Sequence, residues 1–224
     1  MINDDKRAAA AAAIAEVRDG MCVGLGTGST AAHAVRLLGE RVAAGLSVRV
    51  VATSRATERL AAECGVAVED FAAIARIDLA IDGADEIDGA CRAIKGAGGA
   101  MLREKIVAAA AERMVVIADG SKRVPAIGGA AVPVEVLPFA RAFVIAAMEA
   151  LGAEVSLREG YRTDNGNLVA DCAFAVMADP GALARAIEVI PGALGHGLFL
   201  TEVDAAYIAQ GGIVTRLERD AAFR

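Results

Sequence analysis

Four short segments in this chain combine residue types that could do chemistry at spacings that could bring them together. Gly24-Leu25-Gly26-Thr27-Gly28-Ser29-Thr30-Ala31 sets glycines and three hydroxyls between a short apolar run and a helical pattern. There, free backbone N–H groups and the helix dipole favour an anion. Counted from Gly26 the letters satisfy G-x-G-x-x-A, but no Asp or Glu closes the next apolar run at Val50–Ser54, so the acid that holds a dinucleotide ribose is missing. Thr27, Gly28, Ser29 and Thr30 fit a phosphate monoester better. Asp82-Gly83-Ala84-Asp85-Glu86 places three carboxylates after the apolar run Ile77–Ile81, where crowding raises carboxylate pKa values. Lys95-Gly96-Ala97-Gly98-Gly99-Ala100 follows, a flexible anion-accommodating loop, with Arg103-Glu104-Lys105 opening the next helix. Asp119-Gly120-Ser121-Lys122 ends a further apolar run and brings another cation to the same edge.

Taken singly, each segment has a plain structural explanation: a glycine turn, an acidic turn, a solvated loop lysine, a first-turn glutamate complementing the helix dipole. Their order along alternating strands and helices is what gives them weight. Helices are expected at Ala8–Val17, Ala31–Glu40, Thr57–Glu63 and Leu102–Ala111. Strands are expected at Met21–Leu25, Val48–Ala52, Val66–Val68, Ile77–Ile81 and Met114–Ile117. This alternation predicts an α/β fold, a mostly parallel Rossmann-like sheet flanked by helices. Its ligands would gather at the strands' C-terminal ends. After Lys122 the prolines cluster, and a helix at Phe139–Leu151, strands at Glu154–Arg158 and Asn167–Phe174, and a helix at Pro180–Val189 predict a smaller inserted α+β (ferredoxin-like) subdomain. Asp164-Asn165-Gly166-Asn167 reads as the turn between those two strands. The expected division is residues 1–125 and 203–224 for the α/β part and 126–202 for the insert, with Val203–Val214 returning to the first sheet.

Composition narrows the class. Hydrophobic residues make up 56% of the 224, although 53 positions are alanine, which excludes disorder. The longest stretch free of Asp, Glu, Lys and Arg, Gly20–Val35, is 16 residues and glycine-rich, too short and too polar to span a bilayer. A net charge of -6 without blocks of like charge speaks against nucleic acid as a partner. The four cysteines show no CxxC spacing, which fits reduced thiols in a cytoplasm. Neither His33 nor His196 has a histidine or cysteine at metal-ligand spacing, so no metal is expected.

In order, GLGTGST, DGADE, KGAGGA with MLREK, ADGSK, PVEVLP, TDNGN and PGALGHGLF resemble the motifs of the ribose-5-phosphate isomerase family, type A, over nearly the whole chain. The resemblance implies that Thr27, Gly28, Ser29, Thr30, Asp82, Gly83, Ala84, Asp85, Lys95, Gly96, Ala97, Gly98 and Lys122 line a sugar-phosphate site. Lys6 would reach the phosphate, and Glu104 would be the proton-transferring base. It further implies aldose–ketose isomerisation in the pentose phosphate pathway through an enediolate, without redox cofactor or metal. In that chemistry Asp82 and Asp85 would manage ring opening and hydroxyl protons, and Lys95 would stabilise the enediolate oxygen. Ala97 departs from the glycine often found there, which limits that loop's angles. A homodimer is also implied. The competing expectations are a phosphosugar deaminase or lactonase, or a sugar-phosphate sensor without turnover.

Overall fold

The computed structural model describes residues 2–220. The elements run in chain order α1 (Ile2–Ile14), β1 (Cys22–Leu25), α2 (Ala31–Ala43), β2 (Arg49–Ala52), α3 (Arg55–Glu63), β3 (Leu79–Gly83), β4 (Glu86–Ile87), β5 (Ala93–Ile94), α4 (Met101–Ala110) and β6 (Met114–Asp119). They continue with β7 (Val132–Val136), α5 (Arg141–Ala150), β8 (Ala153–Leu157), β9 (Leu168–Phe174), α6 (Pro180–Glu188), β10 (Ala193–His196), β11 (Leu198–Phe199), β12 (Ala205–Gln210) and β13 (Ile213–Glu218).

The main sheet has the order β13-β12-β6-β3-β1-β2. All its pairings are parallel except that of β12 with β13. Side chains alternate across it as the pleat requires. Leu79, Ile81, Val115 and Ile117 enter the core beneath α1 and α2, while Ala80, Met114, Val116 and Ala118 enter the core on the opposite face with Val107 of α4. Gly24 is the point of closest approach, since a Cβ there would stand 2.5 Å from a Val107 methyl. A small residue in β1 therefore lets α4 lie close on the sheet, and α4 carries Glu104 in its first turn.

The chain from β7 to β10 folds as β7–α5–β8–β9–α6–β10, giving an antiparallel sheet of order β10-β7-β9-β8 around its own apolar cluster of Val134, Val144, Met148 and Ile187. This is the ferredoxin-like arrangement expected for the insert. A three-stranded ribbon, β11-β5-β4, completes the structure.

Several expected elements differ. No strand forms at Val66–Val68, where Val66 packs into the core and one backbone bond, from Glu69 N to Val50 O at 2.7 Å, ties the segment to the sheet. The return segment is two strands, β12 and β13, hinged at Gly211 and Gly212, whose φ of 59° and 83° allow the reversal. The first helix begins earlier than Ala8, with Asp4 and Asp5 in its first turn where the dipole favours acids. Residues 158–167 form a long connection rather than a tight hairpin. Its Asn-Gly turn sits at the far end, with Gly166 at φ 85°.

Candidate active site

β1, β3 and β6 end at the same edge of the sheet, and each end carries one of the expected segments. Gly26 donates its N–H to Ile81 O at 2.9 Å. A Cβ on Gly26 would stand 1.8 Å from Asp82 Oδ1, so only glycine lets the Asp82 carboxylate lie against this loop. Asp82 Oδ1 there accepts from Thr27 N at 3.1 Å and Gly83 N at 2.7 Å.

The second carboxylate and a lysine meet Asp82 from the other side. Lys95 follows β5, whose ribbon is fixed when Lys95 N donates to Gly197 O at 2.8 Å. Its ammonium lies 2.9 Å from Asp82 Oδ2 and 3.2 Å from Glu104 Oε2, and also donates to the Gly83 carbonyl. Exposure of the three side chains is only 2%, 4% and 3%, for Lys95, Asp82 and Glu104. Burial followed by the Asp82 charge pushes the Glu104 carboxyl up to about 8, and Lys95 opposes this only in part. Asp82 is raised by burial against the pull of Lys95. Burial alone would lower Lys95, but the two carboxylates outweigh it and hold the ammonium charged. Glu104 Oε2 is buried beside the Lys95 ammonium without a well-aligned hydrogen bond.

These groups border a cavity of about 270 Å³. That is slightly below the ~300–1,000 Å³ of clefts for drug-sized ligands and suits a small metabolite. Its lining includes cations and hydroxyls: Lys6 on α1 reaches Ser29 Oγ at 2.9 Å, Thr30 precedes α2, and Lys122 enters from the turn after β6. The same lining holds Asp85, Lys95 and Glu104, with Thr27, Gly28, Gly83, Ala84, Gly96, Ala97 and Gly98 along the wall. Such a lining can hold an anion on its cations and hydroxyls and move a proton at its carboxylates. A larger hollow of about 640 Å³, bordered by Glu58, Phe71, Arg103 and Ile106, contains none of the lysine–carboxylate cluster.

The sequence profile described as Ribose 5-phosphate isomerase A (phosphoriboisomerase A) matches residues 49–212. The ribose-5-phosphate isomerase A of Sphingopyxis alaskensis is 51% identical over 222 residues, covering 97% of each chain. The chain belongs to the ribose 5-phosphate isomerase A family. The crystal structure of ribose 5-phosphate isomerase A from Neisseria gonorrhoeae superposes with a TM-score of 0.93 at 33% identity, covering 98% of each chain. A D-ribose-5-phosphate isomerase in complex with phospho-erythronic acid superposes at 0.94 with 34% identity, covering 98% of this chain and all of the other.

In the isomerase, three residues of the expected segments have partners that the sequence did not reveal. Thr27 lines the cavity as expected, while its hydroxyl bonds Thr53 Oγ1 and Ser54 Oγ, each at 2.8 Å. Asp82 lies behind Lys95 and outside the cavity wall, because its Oδ1 is committed to the Gly26–Thr27 loop and its Oδ2 to the ammonium. Glu86 leaves the acidic group altogether: it accepts from the N–H groups of Gly128, Gly129 and Ala130 at 2.7–3.2 Å, stapling the segment that leads into β7. His33 bonds Asn3 at 2.9 Å, and His196 is buried and lowered to about 4 by burial and Lys105, so it stays neutral. Among the described residues, no group of three or more His, Cys, Asp or Glu is placed to hold a metal ion. Sequence reasoning missed Arg158 and Tyr161, which bind the outer side of the Gly96–Gly98 wall. All three bonds go to main-chain carbonyls some sixty residues away, and no motif marks such a target.

Proposed function

We propose that Glu104 is the base that carries the C2 proton of ribose 5-phosphate to C1, with Lys95 and Asp85 managing the charge and protons of the two oxygens. The isomerase interconverts ribose 5-phosphate and ribulose 5-phosphate. The observation supporting Glu104 is its position: a carboxyl raised to about 8, at the cavity wall, 3.2 Å from a buried cation. A base poised near the working pH balances availability against driving force.

The phosphate is proposed to sit among Lys6, Ser29, Thr30 and Lys122, leaving C1 and C2 beside Glu104. Glu104 takes the C2 proton, the electron pair forms the C1–C2 double bond, and the carbonyl electrons move onto O1 beside the Lys95 ammonium. Asp85 passes the O2 proton to O1, and Glu104 returns its proton to C1. The Asp82 contribution is to hold Lys95 charged and in place. Phospho-erythronic acid bound to a related isomerase fits this account, since its carboxylate is planar and anionic like an enediolate. Burying a lysine with two carboxylates is costly and exceeds what phosphate binding alone requires, which argues against a sensor.

Purified protein should convert ribose 5-phosphate to ribulose 5-phosphate before and after EDTA treatment. Absence of conversion would overturn the activity, and loss on EDTA restored by a divalent metal would overturn the metal-free mechanism. The isomerase is further proposed to act as a homodimer in a reducing cytoplasm, with residues 126–202 as its inserted subdomain. Its free cysteines, the exposed Phe143 of α5 and the exposed Phe139 just before that helix support this, and light scattering at 22.8 kDa would refute the dimer.

A further inference from the structure

We propose that Arg158 and Tyr161, from the connection between β8 and β9, are positioning residues that hold the Gly96–Gly98 wall of the cavity with the Gly98 amide toward the substrate. Three successive carbonyls of that wall are bound from outside. Arg158 Nη2 donates to Gly96 O at 3.1 Å, Arg158 Nη1 to Ala97 O at 2.9 Å, and Tyr161 Oη to Gly98 O at 2.9 Å. In a planar trans peptide each carbonyl points opposite to the following N–H. Fixing the Ala97 carbonyl on Arg158 therefore fixes the Gly98 amide of the same peptide in the opposite sense.

Two of those amides already have acceptors: Ala97 N–H goes to Asp85 Oδ2 at 2.9 Å, and Gly99 N–H closes a turn on Gly96 O at 2.8 Å. The Gly98 N–H is given no acceptor among the described residues, and Gly98 borders the cavity. It is thus a donor held ready for a substrate oxygen, while the Ala97 amide orients Asp85. Without the outside partners, carbonyl oxygens could rotate toward an anionic ligand and repel it.

The two side chains are themselves fixed. Arg158 forms a two-pronged pair with Asp171 of β9, at 2.7 and 2.6 Å, and its guanidinium lies 5.8 Å from the Tyr161 ring centre. Tyr161 covers Gly99, where an added Cβ would stand 2.2 Å from the phenol oxygen. Through these contacts the inserted subdomain shapes the site of the larger sheet.

This role rests on the cavity being the substrate site. Tyr161→Phe removes one hydrogen bond and leaves the ring in place. The KM for ribose 5-phosphate and the inhibition constant of phospho-erythronic acid should rise together by about 3- to 10-fold, the worth of one such bond. kcat should change by less than about twofold, and the unfolding midpoint should hold. Arg158→Met should cut kcat/KM by roughly 10- to 100-fold, and Arg158→Lys should recover part of it by supplying one charged donor. Wild-type KM and inhibition constant in both Tyr161→Phe and Arg158→Met would overturn the positioning role, and so would losses that merely track a lower folded fraction. An inactive Glu104→Gln alongside those wild-type constants would leave the site assignment standing. Normal turnover in Glu104→Gln together with wild-type constants in both wall variants would overturn both.

Discussion

Replacing Glu104 by glutamine should stop turnover and at the same time make the folded protein more stable, by an amount that grows with pH. In the native state this carboxyl is held at about 8 against an ordinary 4.5, through burial first and the Asp82 charge second. A carboxyl raised by folding keeps its proton after the unfolded chain has lost it. Stability is therefore fully retained below 4.5 and declines as pH rises toward 8. One proton corresponds to a slope of about 1.4 kcal/mol per pH unit, which accumulates to about 3 kcal/mol by pH 7. Glutamine does not titrate, and Asp82 still partners Lys95 in the variant. Urea unfolding of both proteins at several pH values reads the effect of the Glu104, Asp82 and Lys95 cluster, because titrating groups outside it contribute nearly equally to each. The stability difference should widen in favour of the variant by roughly 1 kcal/mol per unit between pH 5.5 and 7.5, then level off above 8. Turnover of ribose 5-phosphate should fall by about 10²–10⁴-fold, the usual worth of a general base. A difference that does not change with pH would refute the raised carboxyl, and near-normal turnover would move the base to Asp85.

Because Glu104 must be unprotonated to accept the C2 proton, kcat/KM should climb between pH 6 and 8 and flatten above about 8; a profile already level at pH 6 would contradict the assignment. Lys122→Ala and Thr30→Ala should raise KM more than they lower kcat, since both line the cavity as proposed holders of the non-reacting phosphate. A pure kcat loss in either would move the phosphate elsewhere. Gly26→Ala should cost most of the activity, because its methyl would occupy the space of the Asp82 carboxylate and displace Lys95 with it; steady-state rates within twofold of wild type would show that the loop yields.

The glycine loop after β1 was legible because its requirements are local: a turn, a helix start, and no room for a Cβ at Gly26. The convergence of the Gly26, Asp82 and Lys122 segments was legible from strand ends sharing an edge, whereas Lys95 and Glu104 come to it from the ribbon strand β5 and the first turn of α4. Which carboxylate faces the ligand was not, since Asp82, Asp85 and Glu86 differ only in what the rest of the chain offers them: an ammonium and a loop, the Ala97 amide, or three amides of the Gly128 segment. Ribbon strands of two residues carry no period to read, so β4, β5 and β11 escaped notice. Val66–Val68 has the β-branched composition of a strand, yet what it supplies is core packing by Val66.

The ribbon that seats Lys95 has an implication for synthesis. β5 pairs with β11, and the Lys95 amide bonds Gly197, about a hundred residues later in the chain. Phe199 in β11 also lies beneath the ammonium groups of Lys95 and Lys105, at 5.3 and 4.3 Å. On the ribosome, where chains emerge from the N-terminus at about 5–20 residues per second, the first β–α–β units can assemble long before β11 has left the exit tunnel. The lysine at the reaction centre is seated only once the inserted subdomain has been made and the chain has come back from it. A nascent or truncated isomerase ending before Leu198 would carry every proposed catalytic side chain and still lack the clasp that arranges them, so that catalytic competence itself signals a nearly finished chain.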